Sequence, residues 1–180
     1  MSQKITETSK FLSYILRHNP DSIGLSLNIE GWVKIDSLIK HASTAGKCLD
    51  RDTILLIVES SDKKRFAISE DGQSIRAVQG HSNSNVNIAY ASVIPPEFLY
   101  HGTAIQFIDS IKMQGLLSLT RQYVHLSADE KTALNVGKRH GKPIALKINA
   151  LQMYQQGFIF HQADNGVWLT KNIPVQFIIE

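Results

Sequence analysis

The stretch Arg121-Gln122-Tyr123-Val124-His125-Leu126-Ser127 constrains this chain more than any other. It alternates, so in a strand Val124 and Leu126 point to one face and Tyr123, His125 and Ser127 to the other. The apolar face predicts core. The opposite face offers a phenol, an imidazole and a hydroxyl, with an arginine at the entry. That surface packs poorly and holds a polar ligand well. A second stretch of the same kind, Phe98-Leu99-Tyr100-His101-Gly102-Thr103, is an apolar run that ends abruptly in His-Gly-Thr.

Upstream, Phe11, Leu12, Ile15 and Leu16 form a stripe at helical spacing, predicting a helix over 8–18 capped at Thr8 or Ser9. Asn19-Pro20 ends it, because a residue before proline avoids the α region. Leu25 and Leu27 suggest a short strand. Asp36 and Asp50 stand where N-caps of two further helices would be. Arg65–Ile68 and Ser74–Val78 around Glu70-Asp71-Gly72 form a hairpin signal. Three helices and a hairpin suggest a winged-helix unit over residues 1–80. The polar run from Gln79 to Asn85 marks the start of a linker, set at 81–95. The remainder, 96–180, predicts strands at 98–101, 123–126, 143–149, 158–161, 167–170 and 175–179, with helices at 104–114 and 129–138. The fold class expected is α+β.

Hydrophobic residues make up 43% of the 180 and charged ones 19%, as in ordinary globular proteins. No apolar run approaches the roughly 20 residues of a membrane span. The N-terminus lacks the apolar core of a secretion signal. Cys48 is the single cysteine, which excludes an internal disulfide and fits a reducing, cytoplasmic setting. It falls between two helices and reads as packing. The net charge of +3 mildly favours an anionic partner without identifying one.

Taken singly, Arg17-His18 is a cationic helix end, Lys63-Lys64-Arg65 solvated charge, and Arg121 a loop arginine. Together they place arginine at three chain-distant edges of regular elements. Arginine grips phosphate with a planar fork and keeps its charge. The basic loop Gly137-Lys138-Arg139-His140-Gly141-Lys142 reads equally as a helix C-cap with last-turn cations or as a phosphate clamp. It lacks P-loop spacing. No His-Glu-x-x-His or cysteine pair supports a metal site, and none is expected. His140 and His161 read as structural or exposed; His41 and His81 carry no signal.

Six short motifs, in order from about Ser9 onward, resemble the RNA 2′-phosphotransferases, in their bacterial form. They are Leu16-Arg17-His18, Lys64-Arg65-Phe66, the run Ile75-Arg76-Ala77 to Gln79-Gly80-His81-Ser82, Leu99-Tyr100-His101-Gly102-Thr103, Arg121 with Val124-His125-Leu126-Ser127, and Gly166-Val167-Trp168-Leu169. The resemblance implies a winged-helix-like lobe followed by an ADP-ribosyltransferase-like lobe. It implies removal of an internal 2′-phosphate from RNA with NAD as consumed co-substrate. The RNA phosphate would first displace nicotinamide at the ribose anomeric carbon. The 2″-hydroxyl would then attack the phosphorus, giving 2′-OH RNA and ADP-ribose 1″,2″-cyclic phosphate.

The resemblance puts the family's catalytic tetrad on Arg17, His18, Arg65 and Arg121. It puts NAD contacts on His101, Gly102, Thr103, His125 and Ser127, with Arg139 a further candidate. Arginines at the first step offset repulsion between two phosphate-bearing partners, and at the second face the charge gathering on phosphorus oxygens. Val167 stands where protein-modifying relatives carry glutamate, which argues against protein ADP-ribosylation. The expected partners are NAD and 2′-phosphorylated RNA, without membrane, the chain acting as a monomer. Transfer of ADP-ribose to a nucleic-acid terminal phosphate or another acceptor is the competing activity, and a winged-helix binder indifferent to NAD the non-enzymatic one.

Overall fold

A computed structural model describes residues 3–61 and 63–179. The chain divides into two compact units, Met1–Ala89 and Tyr90–Glu180. Among the described residues no helix is long and apolar enough to cross a membrane.

In the first unit, helix α1 (Gln3–Arg17) buries Leu12, Ile15 and Leu16. It begins earlier than the apolar stripe predicts, so Thr8 is not a cap and its hydroxyl instead donates back to the Lys4 carbonyl. Strand β1 (Val33–Lys34) leads into α2 (Ile35–Thr44), where Asp36 lies in the first turn and Lys34 is the N-cap residue. Helix α3 (Arg51–Glu59) starts at Asp50, whose carboxylate accepts the Thr53 N–H at 2.7 Å, as expected. Strands β2 (Phe66–Ile68) and β3 (Ser74–Ala77) form the hairpin, and β1 adds to β3 to give the order β1-β3-β2. The three helices and the hairpin share one core that includes Leu16, Leu38, Ile54 and Ile75. Truncating Leu16 to alanine there costs about 2–5 kcal/mol.

Leu25 and Leu27 form no strand: the Leu25 N–H bonds the Pro20 carbonyl, which folds this stretch back on the turn after α1. Cys48 is exposed and not packed. Residues 81–89, expected in a linker, lie in the first unit. Val86 and Ile88 are buried, and the Asn87 N–H bonds the Ile29 carbonyl at 2.6 Å. A segment poor in apolar residues folds here because two well-spaced ones suffice to hold it down.

The second unit opens with β4 (Phe98–Ala104), followed by a short 3₁₀ turn, α4 (Ile108–Gln114) and β5 (Leu116–Leu117). Next come β6 (Val124–Leu126), α5 (Glu130–Gly137) capped by the Asp129 carboxylate, and β7 (Pro143–Asn149). Then α6 (Ala150–Gln155), β8 (His161–Gln162), β9 (Trp168–Thr170), β10 (Asn172–Ile173) and β11 (Ile178–Ile179) complete the chain. The strands form two three-stranded sheets, β11-β7-β4 and β6-β9-β8, and the pair β10-β5. The expected strand 158–161 shrinks to its end, because the Phe158 N–H turns to the Met153 carbonyl at the end of α6. The strand expected over 175–179 begins as a 3₁₀ turn and keeps only β11. The apolar face of β6 is core, as the alternation predicts: Val124 and Leu126 are buried with Leu99, Ile148 and Phe160.

The two three-stranded sheets touch through one antiparallel bridge, Tyr100 to Ser127, with N–H···O distances of 2.9 and 2.8 Å. No ladder between β4 and β6 continues past it, and the strands part. Helix α5 packs across β4 and β7.

Candidate functional site

In the first unit two of the expected residues, Arg17 and His18, stand at the end of α1. Pro20 halts the helix, leaving the last carbonyls in need of donors. The Arg17 carbonyl finds them in the N–H groups of Ser82 and Asn83, at 3.0 and 3.3 Å. Gly80, with φ of 89°, lays its backbone along the Arg17 side chain; that left-handed conformation is why glycine stands there. The next residue, His18, is exposed, and its Nδ1 lies 2.9 Å from Ser82 Oγ. Arg65 immediately precedes β2, and its carbonyl accepts the Val78 N–H, extending the hairpin ladder towards Gly80. Its guanidinium donates to Ser61 Oγ at 3.2 Å.

Three residues missed in the sequence complete this cluster. His81 is only 2% exposed, and its ring packs on Gly31. Burial first, then the charges of Arg17, His18 and Arg76, push its pKa down to about 4. Arg76 lies over the Trp32 ring at 4.6 Å and pairs with Glu30 at 3.3 Å. Ser82 holds His18. Arg76, His81 and Ser82 stand in one of the quoted motifs, which was the available signal.

In the second unit the site residues surround the parting of β4 and β6. His101 Nδ1 reaches across to the His125 carbonyl at 3.0 Å. Burial, followed by the charges of Arg121 and His140, lowers the His101 pKa, while the bond to His125 opposes this. His101 is therefore neutral near pH 7. A carbonyl can only accept, so Nδ1 carries the hydrogen and Nε2 is left as an acceptor. Peptide groups alternate sides along a strand. Those of Tyr100 face Ser127, so those of Gly102 also face the β6 side, into the parting.

Arg121 Nη1 lies 3.5 Å from His125 Nδ1. Partial burial and then the Arg139 charge lower the Arg121 pKa from its usual range, yet a guanidinium stays charged. Two arginines thus share one neighbourhood, an arrangement that an anion relieves. The loop bearing Arg139 is tied to the end of β4: Ile105 N–H bonds the Lys142 carbonyl, and the Gln106 amide bonds that of His140. Gly137 is no C-cap; it lies within α5, pressed on the Thr103 backbone. Thr103 is buried beneath it, and Ser127 is half-buried in the bridge to Tyr100. Continuing the β6–β9 register one step past Leu126 and Trp168 sets Val167 opposite Ser127.

These clusters bring arginine and histidine side chains together in an α+β protein. The family model described as "RNA 2'-phosphotransferase, Tpt1 / KptA family" matches residues 3–172, and the chain belongs to that family. A probable RNA 2′-phosphotransferase of Pectobacterium atrosepticum is 63% identical over the whole of both chains. One from Pseudomonas aeruginosa is 57% identical, covering 98% of this chain and 97% of its own. One from Escherichia coli O9:H4 is 54% identical over 98% of this chain and 96% of its own.

Proposed function

We propose that this protein removes an internal 2′-phosphate from RNA and consumes NAD in doing so. On this reading the first unit is a winged-helix-like lobe that handles the RNA phosphate, and the second an ADP-ribosyltransferase-like lobe that binds NAD. The observation that carries it is the parting of β4 and β6 beyond the Tyr100–Ser127 bridge. It offers what a nicotinamide dinucleotide needs. The Gly102 peptide suits a carboxamide, the Nε2 acceptor of His101 suits a ribose hydroxyl, and Arg139, beside Arg121, suits a diphosphate. NAD supplies the anomeric carbon that takes up the phosphate and the hydroxyl that later attacks it.

The chain's own groups do the rest. Arg17, Arg65 and Arg121 neutralise the 2′-phosphate, whose charge would otherwise repel a dinucleotide. The same guanidinium donors stabilise charge on the non-bridging oxygens as phosphorus is attacked. His18 donates a hydrogen bond to the phosphate. The leaving 2′-oxygen of RNA departs with a proton, and the active chain is a cytoplasmic monomer.

Purified protein, NAD and an oligonucleotide bearing an internal 2′-phosphate test the reading. The expected products are nicotinamide, ADP-ribose 1″,2″-cyclic phosphate and an oligonucleotide with a free 2′-hydroxyl. A folded protein that yields none of them sinks it. Stable ADP-ribose left on a terminal phosphate would assign the competing transferase activity.

A further inference from the structure

We propose that Ser82 is a positioning residue for His18: its hydroxyl donates to His18 Nδ1, fixing both the ring's rotation and the Nε2–H tautomer that can donate to the substrate phosphate. This rests on the reading above, in which His18 meets the 2′-phosphate.

The geometry has three parts. Ser82 Oγ and His18 Nδ1 are 2.9 Å apart, across 64 positions of chain. Ser82 is itself anchored, because its N–H bonds the carbonyl of Arg17, the residue before His18, at 3.0 Å. The following residues lock the segment: the Asn83 N–H reaches the same carbonyl, Asn83 Oδ1 accepts the Asn85 N–H at 2.9 Å, and Val86 is fully buried. The hydroxyl is therefore held by backbone bonds that do not depend on its own side chain. Tyr14 borders the imidazole with its ring centroid at 6.4 Å.

The proton inventory gives the direction. A neutral imidazole has one N–H, and only that nitrogen can donate to an anion. If Nδ1 kept the hydrogen, it would be spent on Ser82, and Nε2 would turn a lone pair towards the phosphate. A serine hydroxyl can donate or accept, so it satisfies Nδ1 in the productive tautomer. Neighbouring His81 is buried, with its Nε2 against Gly31.

The test compares Ser82→Ala and Ser82→Thr with the unaltered chain. In the free protein, imidazole ¹⁵N shifts should report Nε2–H for His18, with Nδ1 as a hydrogen-bonded acceptor. In Ser82→Ala the Nδ1 resonance should move to that of an acceptor without its donor, and Ser82→Thr should restore it. With NAD and 2′-phosphorylated oligonucleotide, Ser82→Ala should lose about tenfold in kcat, the scale of a hydrogen bond serving a charged group. Its KM for NAD should not change. Melting temperatures should stay close to one another, since both N–H bonds to Arg17 survive.

Unchanged His18 shifts in Ser82→Ala overturn the inference, as do equal losses in the alanine and threonine variants. Should the unaltered protein fail to release the phosphate, the proposed activity falls, and the ring shifts still decide whether Ser82 sets the His18 tautomer.

Discussion

Gly102 of β4 lies directly against the Ala133 carbonyl of α5, so closely that a Cβ on Gly102 would overlap it. Gly137 meets the Thr103 backbone in the same way one turn later. Helix and strand approach at backbone distance because both lack side chains there. Gly102→Ala should therefore destabilise the second unit by about 3 kcal/mol or more, beyond ordinary overpacking, since backbone cannot yield as a side chain does. A lower melting temperature in the absence of any ligand checks this. A variant as stable as the unaltered chain, yet unable to bind NAD, would assign Gly102 to the ligand alone.

Arg121→Ala should lose far more turnover than Lys142→Ala, although both remove one cation from neighbouring loops. Arg121 shares its surroundings with His125 and Arg139, whereas Lys142 is an exposed loop residue whose backbone carbonyl makes the structural contact. Arg65→Lys should also turn over poorly, because an ammonium cannot reproduce a planar fork. Steady-state rates on 2′-phosphorylated oligonucleotide decide both. Equal losses at 121 and 142 would remove Arg121 from the chemistry. Accumulation of ADP-ribosylated RNA in the Arg65 and Arg121 variants would place these residues in the second step.

The core-facing parts of this fold were legible because burial leaves a period in the sequence. The stripe of α1, the cap at Asp50, the hairpin and the alternation of β6 were readable from the residues themselves. The segment from Gly80 to Asn83 was not. Its work is done by backbone N–H groups and one hydroxyl, which leave no periodicity, and its polar composition looks like a linker. His81 leaves no signal for a related reason: nothing local tells a buried histidine from an exposed one. Helix α6 is illegible in the sequence because six residues without a side-chain cap give too short a stripe. The site arginines stood out only through their motifs, since each alone is an unremarkable surface charge.

Acid should weaken the first unit through His81. Its folded-state pKa of about 4 lies below the ordinary value of 6.5, so the unfolded chain takes up the proton first. Stability is then complete above about 6.5 and is lost as pH falls towards 4, by about 3 kcal/mol in all. Arg17, His18 and Arg76 all oppose protonation there. Urea midpoints measured from neutral pH downwards should decline over this window, and His81→Gln should flatten the decline. An unaltered acid limb in that variant would clear His81 of responsibility. His101 acts in the same sense in the second unit, its pKa also being lowered.

His101→Asn separates the two nitrogens of that ring. The asparagine amide can still donate towards the His125 carbonyl, but the Nε2 acceptor is gone. NAD affinity should fall about tenfold, as for a hydrogen bond of 1–2 kcal/mol, while the melting temperature changes little. Calorimetric titration with NAD and a thermal melt read the two effects apart. Undiminished affinity would exclude His101 from the ribose.

The single rung joining Tyr100 to Ser127 has a consequence for selectivity. On the proposed reading, recognition past it would come from the main chain at Gly102, which side-chain substitutions elsewhere in the unit leave in place. A guest held in this way would be selected by the side chains around the parting, Val167 opposite Ser127 among them, rather than by the groups that hold it.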